Sequence, residues 1–428
     1  MVVHCEIKFD NNPNGIYFAG QTLSGVVEMT VDKPKKIRGL ILKIEGYAKV
    51  EWQETQTYTD HHNNNNQTRT RTITYSGRED YISSTSYLIG SPQGNEIDLS
   101  PGQYRYNFQS LLPAQIPTSC ETNNGYIRYL VTVILDRPFK FDLTYKVAFT
   151  VIKQLDLNYE NPTLAIPLKM EFSKTFCCWC CKSKPIFIAA SIERGGFVPG
   201  QIINVSVDIN NESNYDFEDV KVSLKKIIRY NSQVPTLKSM EEILTEAEIR
   251  HGQIKKYSKH NFIQQLTIPP VPPTNLNYCR VLNVTYEVHV KCKGPTFSVD
   301  PFVKLPITIG TIPFHNQQYP SMPYASAPVL TPNSVNYDAM IGSFNNTPNP
   351  NSNGDIAPPP SYFDAVYTEA NGNAVNLTES GEHSMGEKPF LPLYPVYSFN
   401  STTNTLTNGE GSSNQNGQPS DIGFIQKY

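Results

Sequence analysis

A proline-tyrosine sequence near the C-terminus has the residue types and spacing of a docking peptide. Its four residues are Pro359, Pro360, Ser361 and Tyr362. Consecutive prolines favour a polyproline II helix, which loses little entropy when an aromatic-lined groove binds it. In the pattern Pro-Pro-x-Tyr, the two prolines enter such a groove and the tyrosine fills a neighbouring slot, as WW domains prefer. The alternative interpretation is an inert turn in a disordered tail.

A second sequence repeats this pattern in part. Leu391, Pro392, Leu393 and Tyr394 have the proline and the tyrosine in place, but a leucine replaces the first proline. Tyr394 follows Tyr362 by 32 residues, and a flexible linker of that length spans about 30 Å at roughly 5–6 Å × √n. Two WW domains of one partner can therefore bind both tyrosines, with a gain from effective concentration. We expect the second, partial motif to be the weaker ligand.

Four cysteines lie close together in the middle of the chain. They are Cys177, Cys178, Cys180 and Cys181, with Trp179 between them. A metal site is one interpretation, although adjacent cysteines chelate one tetrahedral ion poorly and the separated Cys-x-x-Cys pairs of a zinc knuckle are missing. S-acylation is a second interpretation, because thiols beside an interfacial tryptophan and lysines suit an anionic membrane surface. The third is a reduced, partly buried linker between domains.

No group of residues has the pattern of a catalytic site. The sequence has no phosphate-binding glycine-rich loop before a helix, no HExxH and no nucleophile elbow, and its eight histidines are dispersed. We therefore predict that the protein is not an enzyme and that it uses no cofactor and no metal.

Charge divides the chain into a mildly basic body and an acidic tail. Residues 313–428 have a net charge of −7, and the preceding residues have a net charge of +4. The surplus in the body suits anionic lipid headgroups or phosphorylated peptides but is too small to indicate nucleic-acid binding. The sequence contains neither the pattern of a signal peptide nor the run of about 18 apolar residues that a membrane span requires. We expect a cytoplasmic protein.

The body contains two copies of one strand pattern, offset by 180 positions. YFAGQTLSGVVEMTV (17–31) and FVPGQIINVSVDINN (197–211) each contain a Gly-Gln pair followed by small or apolar residues at every second position. Because side chains alternate between the two faces of a strand, this spacing predicts one buried face in each copy. The residues expected on these faces are Leu23, Gly25, Val27 and Met29 in the first copy, and Ile203, Val205, Val207 and Ile209 in the second.

Later segments repeat as well. A proline-rich crossing, at 112–119 and again at 268–275, precedes a strongly alternating strand in each copy. Short strands, turn residues between them and almost no helical signal predict an all-β protein built from a pair of β-sandwiches. One segment, Ser239–Gly252, has two interpretations. It is either a short helix with a capping box at Ser239 and Glu242, or a distorted strand.

Several blocks together make the chain resemble an arrestin-domain-containing protein of the alpha-arrestin family. In order, they are GYAKVEW (46–52), YIRYLVTVILDRPF (126–139), the cysteine cluster, SIERGGFVPGQ (191–201), LPITIGTIPF (305–314) and the tail Pro-Pro-x-Tyr. The resemblance implies two tandem immunoglobulin-like β-sandwich arrestin domains followed by a disordered tail. The expected boundaries are 1–172 for the N-terminal sandwich, 173–184 for a cysteine-rich interdomain hinge, 185–314 for the C-terminal sandwich and 315–428 for the Pro/Asn-rich tail.

The resemblance also implies a function. Alpha-arrestins are adaptors whose body selects membrane cargo, such as receptors or transporters, and whose tail recruits HECT-class ubiquitin ligases through WW domains. Ubiquitination then promotes endocytosis and endosomal sorting, so the adaptor is expected at the plasma membrane and at endosomes. Pro359, Pro360 and Tyr362 match the ligase-docking positions of that family. Two alternatives remain, a retromer-like coat subunit and a beta-arrestin-like scaffold, and neither recruits a ligase through Pro-Pro-x-Tyr.

Overall fold

The computed structural model describes residues 3–60, 67–178, 181–274, 278–294, 299–315, 365–370, 373–377 and 383–398. Most of these residues are in β-strands, and the single helical element among them is a 3-10 turn at Pro162–Ala165. The prediction of an all-β fold with two tandem sandwiches is confirmed. No helix within these ranges has the length and apolar character needed to cross a membrane.

The N-terminal lobe is a sandwich of two sheets. One sheet has the strand order β1-β3-β8, and the other has the order β2-β11-β10-β5-β6 with β9 paired to β10. A small separate pair is formed by β4 and β7. The strands are β1 (Val3–Phe9), β2 (Ile16–Phe18), β3 (Thr22–Val31), β4 (Lys35–Ile37), β5 (Gly39–Asp60), β6 (Gln67–Gly90), β7 (Ile97–Leu99), β8 (Gly102–Leu111), β9 (Cys120–Thr122), β10 (Gly125–Asp136) and β11 (Leu143–Ile152).

The C-terminal lobe repeats this plan. Its sheets have the orders β12-β15-β17-β20 and β16-β22-β21-β18-β19, and the second order matches that of the larger N-terminal sheet strand for strand. The internal repeat in the sequence therefore corresponds to a repeat of topology. The strands are β12 (Leu168–Lys174), β13 (Cys177–Cys178), β14 (Cys181–Lys182), β15 (Ile186–Ile192), β16 (Gly196–Phe197), β17 (Ile202–Asn211), β18 (Phe217–Ser232), β19 (Lys238–Ile254), β20 (Ser258–Thr267), β21 (Leu282–Lys293) and β22 (Phe302–Ile309).

The core lies between the two sheets of each lobe, on the faces that alternation predicts. Every residue assigned to an inward face of β3 and β17 is buried. The same holds for five residues of β10, Ile127, Tyr129, Val131, Val133 and Leu135, and for five of β21, Val284, Tyr286, Val288, Val290 and Cys292. Because both lobes contribute to one continuous cluster of buried apolar side chains, they are held together by packing as well as by the chain.

The segment 239–252 is a strand, as the second of its two interpretations predicts. It forms most of β19, whose residues alternate in exposure with period two along its first half. The register against β18 skips Glu246, which forms a buried ion pair with Lys226 at 2.6 Å. Ser239 donates a hydrogen bond to Asn231 Oδ1 at 2.7 Å instead of capping a helix. A short isolated helix is only marginally stable in water, whereas pairing with β18 gives the backbone partners along the strand.

Side chains and backbone join the two lobes directly. Leu155 lies in the chain segment that passes from the N-terminal lobe to the C-terminal lobe. Its amide donates to Oγ1 of Thr311, which follows the last strand of the C-terminal lobe, at 2.8 Å. On the long hairpin of β5 and β6, Glu54 accepts a hydrogen bond from Lys238 of the C-terminal lobe, and the Lys238 ammonium lies 4.9 Å from the centroid of the Tyr75 ring.

The cysteine cluster differs from the expected interdomain hinge. Its preceding strand, β12, pairs with β15 inside the C-terminal lobe. The chain has therefore already crossed between the lobes before it reaches the cysteines. Cys178 pairs with Cys181 in a short β13-β14 hairpin, while Trp179 and Cys180 lie outside the described residues. The backbone of this hairpin belongs to the C-terminal lobe.

The described part of the tail, which is expected to be disordered, contains three strands. They are β23 (Ala365–Glu369), β24 (His383–Glu387) and β25 (Leu393–Tyr397). β23 and β25 pair antiparallel, and β24 adds in parallel to β11 at the edge of the large N-terminal sheet. In residues 365–398, the described part of the tail is thus ordered against the body, because it supplies strand partners and apolar side chains to surfaces that would otherwise be exposed.

Candidate functional site

The first docking motif lies outside the described residues. Pro359, Pro360, Ser361 and Tyr362 therefore stay a sequence prediction, and the described chain resumes at Ala365. Ala365 is the first residue of β23. Two residues, Phe363 and Asp364, separate Tyr362 from that strand in the sequence, and an extended chain spans at most about 3.3–3.6 Å per residue.

The second motif lies within the described residues and is largely buried. Pro392 and Tyr394 are buried, and Leu391 and Leu393 are half-buried. The two leucines line a groove of about 580 Å³ against β1 and the turn after it. In addition, the Leu393 amide donates to Thr150 Oγ1 of β11 at 3.2 Å. The motif predicted to bind a WW domain is in this conformation bound to the body of the same chain.

Tyr394 is almost completely enclosed. Its side chain is only 1% exposed, and its hydroxyl donates to the carbonyl oxygen of Ser119 at 2.9 Å. Burial raises the pKa of Tyr394 well above its ordinary value, with smaller contributions from nearby Cys120 and Tyr286. The hydroxyl therefore stays protonated and acts as a donor. Cys120 belongs to the N-terminal lobe and Tyr286 to the C-terminal lobe, so Tyr394 lies in the cleft between them.

Tyr397 continues the contact on the C-terminal lobe. Its hydroxyl donates to the Thr311 carbonyl at 2.6 Å, and its amide donates to the Pro199 carbonyl at 3.1 Å. Gly200 follows this proline with a φ of +92°, and a Cβ on Gly200 would overlap the Tyr397 carbonyl. A glycine is required there for its backbone conformation and also because the tail approaches so closely.

The tail also covers apolar residues on the outer face of the large N-terminal sheet. Leu377 and Phe390 of the tail pack with Tyr47 of β5 and Leu130 of β10 in a buried cluster separate from the main core. Reciprocal backbone hydrogen bonds of 2.8 and 2.9 Å between Val375 and Phe390 hold the two tail segments together. By strand alternation, Leu130 faces away from the sandwich core. It is buried because the tail covers it.

A buried ion pair stands at the N-terminal side of the cleft. Glu121 of β9 accepts two hydrogen bonds of 2.7 Å from the Arg128 guanidinium, and both side chains are about nine-tenths buried. Burial raises the pKa of Glu121, while the bidentate contact with Arg128 opposes this shift. Arg128 also lies 3.8 Å over the Tyr126 ring. This geometry fixes β9, the strand that carries the chain from Ser119 into the lobe.

The sequence contains a signal for these tail contacts. Val375, Leu377, Met385 and Phe390 are apolar residues in a stretch otherwise rich in Asn, Ser, Thr and Gly, and Met385 joins the main core. Leu130 is likewise apolar at an outward position of a strand. Apolar residues in a polar tail and an apolar residue on an outer face are complementary, but sequence alone does not pair them.

Among the residues that the structure describes, no cluster of three or more His, Cys, Asp or Glu side chains is arranged to hold a metal ion. The cleft that holds the tail is suited to binding protein segments. It provides backbone hydrogen-bond partners, enclosed positions for tyrosine rings and an apolar surface.

Two tandem sandwiches of equivalent topology are the architecture of an arrestin type of fold. Two family models match the chain accordingly. The model for the Arrestin (or S-antigen) N-terminal domain matches residues 5–158, and the model for the C-terminal domain matches residues 182–314. The chain belongs to the arrestin family, and within it to the alpha-arrestins.

Curated relatives agree with this assignment. The chain is 29% identical to Arrestin domain-containing protein 17 of Caenorhabditis elegans over 320 residues, which cover 72% of this chain and 70% of the relative. It is 26% identical to Arrestin domain-containing protein 4 of Mus musculus over 311 residues, 72% of each chain. It is 26% identical to Arrestin domain-containing protein 1 of Rattus norvegicus over 298 residues, 69% of this chain and 62% of the relative. The family is one of non-enzymatic adaptors and scaffolds that bind cargo and trafficking partners.

Proposed function

We propose that this alpha-arrestin links membrane cargo, a receptor or transporter, to a WW-domain HECT ubiquitin ligase. Pro359, Pro360, Ser361 and Tyr362 would be the primary docking peptide, with Leu391–Tyr394 as a secondary one. The bound ligase ubiquitinates the cargo and thereby promotes endocytosis and endosomal sorting. The adaptor is recruited to the plasma membrane and to endosomes when cargo is present.

The observation that carries the proposal is a Pro-Pro-x-Tyr motif joined to an arrestin body. A retromer-like coat subunit has no need of such a motif. A beta-arrestin-like scaffold would instead have a clathrin-binding acidic leucine box, and residues 313–428 contain none. The ligase-adaptor function accounts for both the body and the tail.

The described tail adds a spatial argument. β23 pairs with β25 such that Ala365 is opposite Tyr397, which is bonded to Pro199 and Thr311 of the C-terminal lobe. A WW domain bound at Tyr362, which two residues separate from β23 in the sequence, would lie next to the interlobe cleft. The ligase would be held close to the body that selects the cargo, which raises the effective concentration of one for the other.

Calorimetric titration of the full chain with tandem WW domains of a HECT ligase tests this function. Tyr362→Ala should weaken binding by about 30-fold or more, since removal of an aromatic hot-spot residue costs about 2 kcal/mol or more. Tyr337→Ala is the matched control, because it removes a tail tyrosine that no proline pair precedes. Equal binding by the wild type and the Tyr362→Ala chain would refute docking at this motif and would favour the coat or scaffold alternatives.

We also propose S-acylation of the cysteine cluster, Cys177, Cys178, Cys180 and Cys181. An apolar surface near the hairpin supports this. Phe172 and Phe302 stack at 6.2 Å and are partly exposed, and Lys174 donates to the Val299 carbonyl beside them. An acyl chain there would add to a surface that already suits a bilayer. Acyl-exchange labelling of the chain isolated from cells would show modified thiols, and unlabelled cysteines would exclude the modification.

A further inference from the structure

We propose that residues 390–397, here called the clasp, are bound in competition by the interlobe cleft of this chain and by a WW domain. The proposal rests on the proposed function, because that function supplies the WW partner. It adds that the second motif is a regulated ligand, available only when the clasp has left the cleft.

Competition follows from what each partner must hold. A WW domain needs the proline and the tyrosine of the motif in its own groove. In this chain Pro392 is buried, and Tyr394 is 1% exposed with its hydroxyl bonded to the Ser119 carbonyl. One ring cannot fill both slots, so a WW domain binds the second motif only after Tyr394 has left the cleft.

The clasp also joins the two lobes. Thr150 and Ser119 of the N-terminal lobe bind its first half, and Pro199 and Thr311 of the C-terminal lobe bind Tyr397. Release would therefore remove a connection between the lobes. It would also uncover the apolar patch around Leu130, which Phe390 and Leu377 cover. A ligase that holds only the first motif leaves this patch covered, whereas one that holds both motifs exposes it.

The size of the effect depends on how often the clasp is free. When the competent state is only a fraction of the population, the apparent affinity falls by that fraction. A clasp that is bound ten times as often as it is free weakens WW binding at Tyr394 about tenfold. We therefore expect the second motif to bind at least about tenfold more weakly within the full chain than as a free peptide.

The repeat supplies a matched pair of variants. Gly200→Ala would block the clasp, because the new Cβ overlaps the Tyr397 carbonyl. Gly20 is the equivalent residue of the N-terminal lobe, with a φ of +90°, and its Cβ would meet nothing closer than Ala114 Cβ at 3.7 Å. The two turns also share a hydrogen bond from a backbone amide to the following glutamine, of 2.8 Å at Gln21 and 2.9 Å at Gln201. Gly20→Ala therefore has the same backbone strain without contact to the clasp.

The experiment measures WW binding at the second motif alone. The background is the full chain with Tyr362→Ala, titrated calorimetrically with tandem WW domains, and a peptide of residues 388–398 is the reference. The peptide should bind at least about tenfold more tightly than the chain. Gly200→Ala should bring the chain close to the peptide, while Gly20→Ala should leave it unchanged. Tyr397→Ala, which lies outside the second motif, should act like Gly200→Ala without altering the body.

Several results would overturn the proposal. One is equal affinity of the peptide and the chain, and another is a peptide that binds no WW domain at all. A third is equal recovery in Gly20→Ala and Gly200→Ala. The fourth is a Tyr397→Ala chain that binds no better than its background. None of these touches the primary docking function, which is judged separately by the loss of binding from the wild-type chain on Tyr362→Ala.

Discussion

Tyr394→Ala should release the tail without unfolding either lobe. A buried tyrosine removes about 150–250 Å² from water, which corresponds to about 4–6 kcal/mol at about 25 cal/mol per Å². Its hydrogen bond to Ser119 adds about 1 kcal/mol. Against this, ordering the eight residues of the clasp costs about 1–2 kcal/mol for each residue's backbone. Because Tyr394 alone does not offset this cost, burial of Phe390 and Tyr397 must contribute to docking as well. Without the Tyr394 ring the remaining contacts no longer offset the ordering cost, so the clasp detaches.

The consequence is a limit on the loss of global stability. In the core of a lobe, where the chain cannot move away, replacing a large aromatic residue by alanine leaves a cavity and costs about 3–5 kcal/mol. A tail that detaches leaves no cavity inside a lobe, so Tyr394→Ala can lower stability only by the net docking free energy. Tyr129→Ala is the comparison, because Tyr129 is fully buried within β10 and donates to the Pro117 carbonyl at 2.6 Å.

Two measurements on the same samples test this reasoning. Urea unfolding should show a much smaller loss of stability for Tyr394→Ala than for Tyr129→Ala. Amide hydrogen exchange should show that the Tyr397 amide, bonded to the Pro199 carbonyl, loses its protection in Tyr394→Ala. If Tyr394→Ala destabilised the chain as strongly as Tyr129→Ala, the tail would be an integral part of the core and the reasoning would be refuted.

Two further predictions concern the C-terminal lobe. Tyr286→Phe should lower the free energy of unfolding by about 1–3 kcal/mol, because it leaves the buried Pro272 carbonyl without the hydroxyl that donates to it at 2.6 Å. Exposed Tyr257→Phe is the control, and equal urea midpoints for the two variants would contradict the prediction. Burial, in a position stacked on Phe262, lowers the pKa of His251 below 6.5. The stability that neutral His251 contributes is thus fully present above pH 6.5, and it is lost as pH falls through the lowered pKa. The free energy of unfolding of His251→Gln should therefore fall less than that of the wild type between about pH 7 and pH 5. An NMR titration that gave a His251 pKa at or above 6.5 would contradict this.

The sandwich cores are predictable from the sequence because the signal is local. Val27 and Val207, for example, each lie two positions from the next inward-facing residue. This spacing places both on the inward face of their strands, whatever the position of the strand in the fold. The repeat at an offset of 180 then indicates two lobes of one kind. The segment 239–252 is harder, since its apolar residues fit helical spacing and strand spacing alike. Pairing with β18 selects the strand.

The docking motif at Pro359–Tyr362 is also a local pattern, and sequence alone identifies it as a candidate. The surroundings of Tyr394 are not local. Its hydroxyl binds the carbonyl of a residue 275 positions earlier, and no periodicity of the tail predicts that contact. The same is true of Gly200. The Gly-Gln repeat indicates the backbone conformation of this residue, but it does not predict the contact of Gly200 with the tail.

Thus the sequence by itself determined the class of fold and the repeat of two lobes, and it predicted the primary docking peptide, because each depends on residues close together in the chain. Only the tertiary structure decided which surface the tail covers and where Tyr394 is held. Burial of Tyr394 requires two lobes and a tail that are far apart in the sequence to contact one another. The spacing of residues along the chain does not predict such contacts.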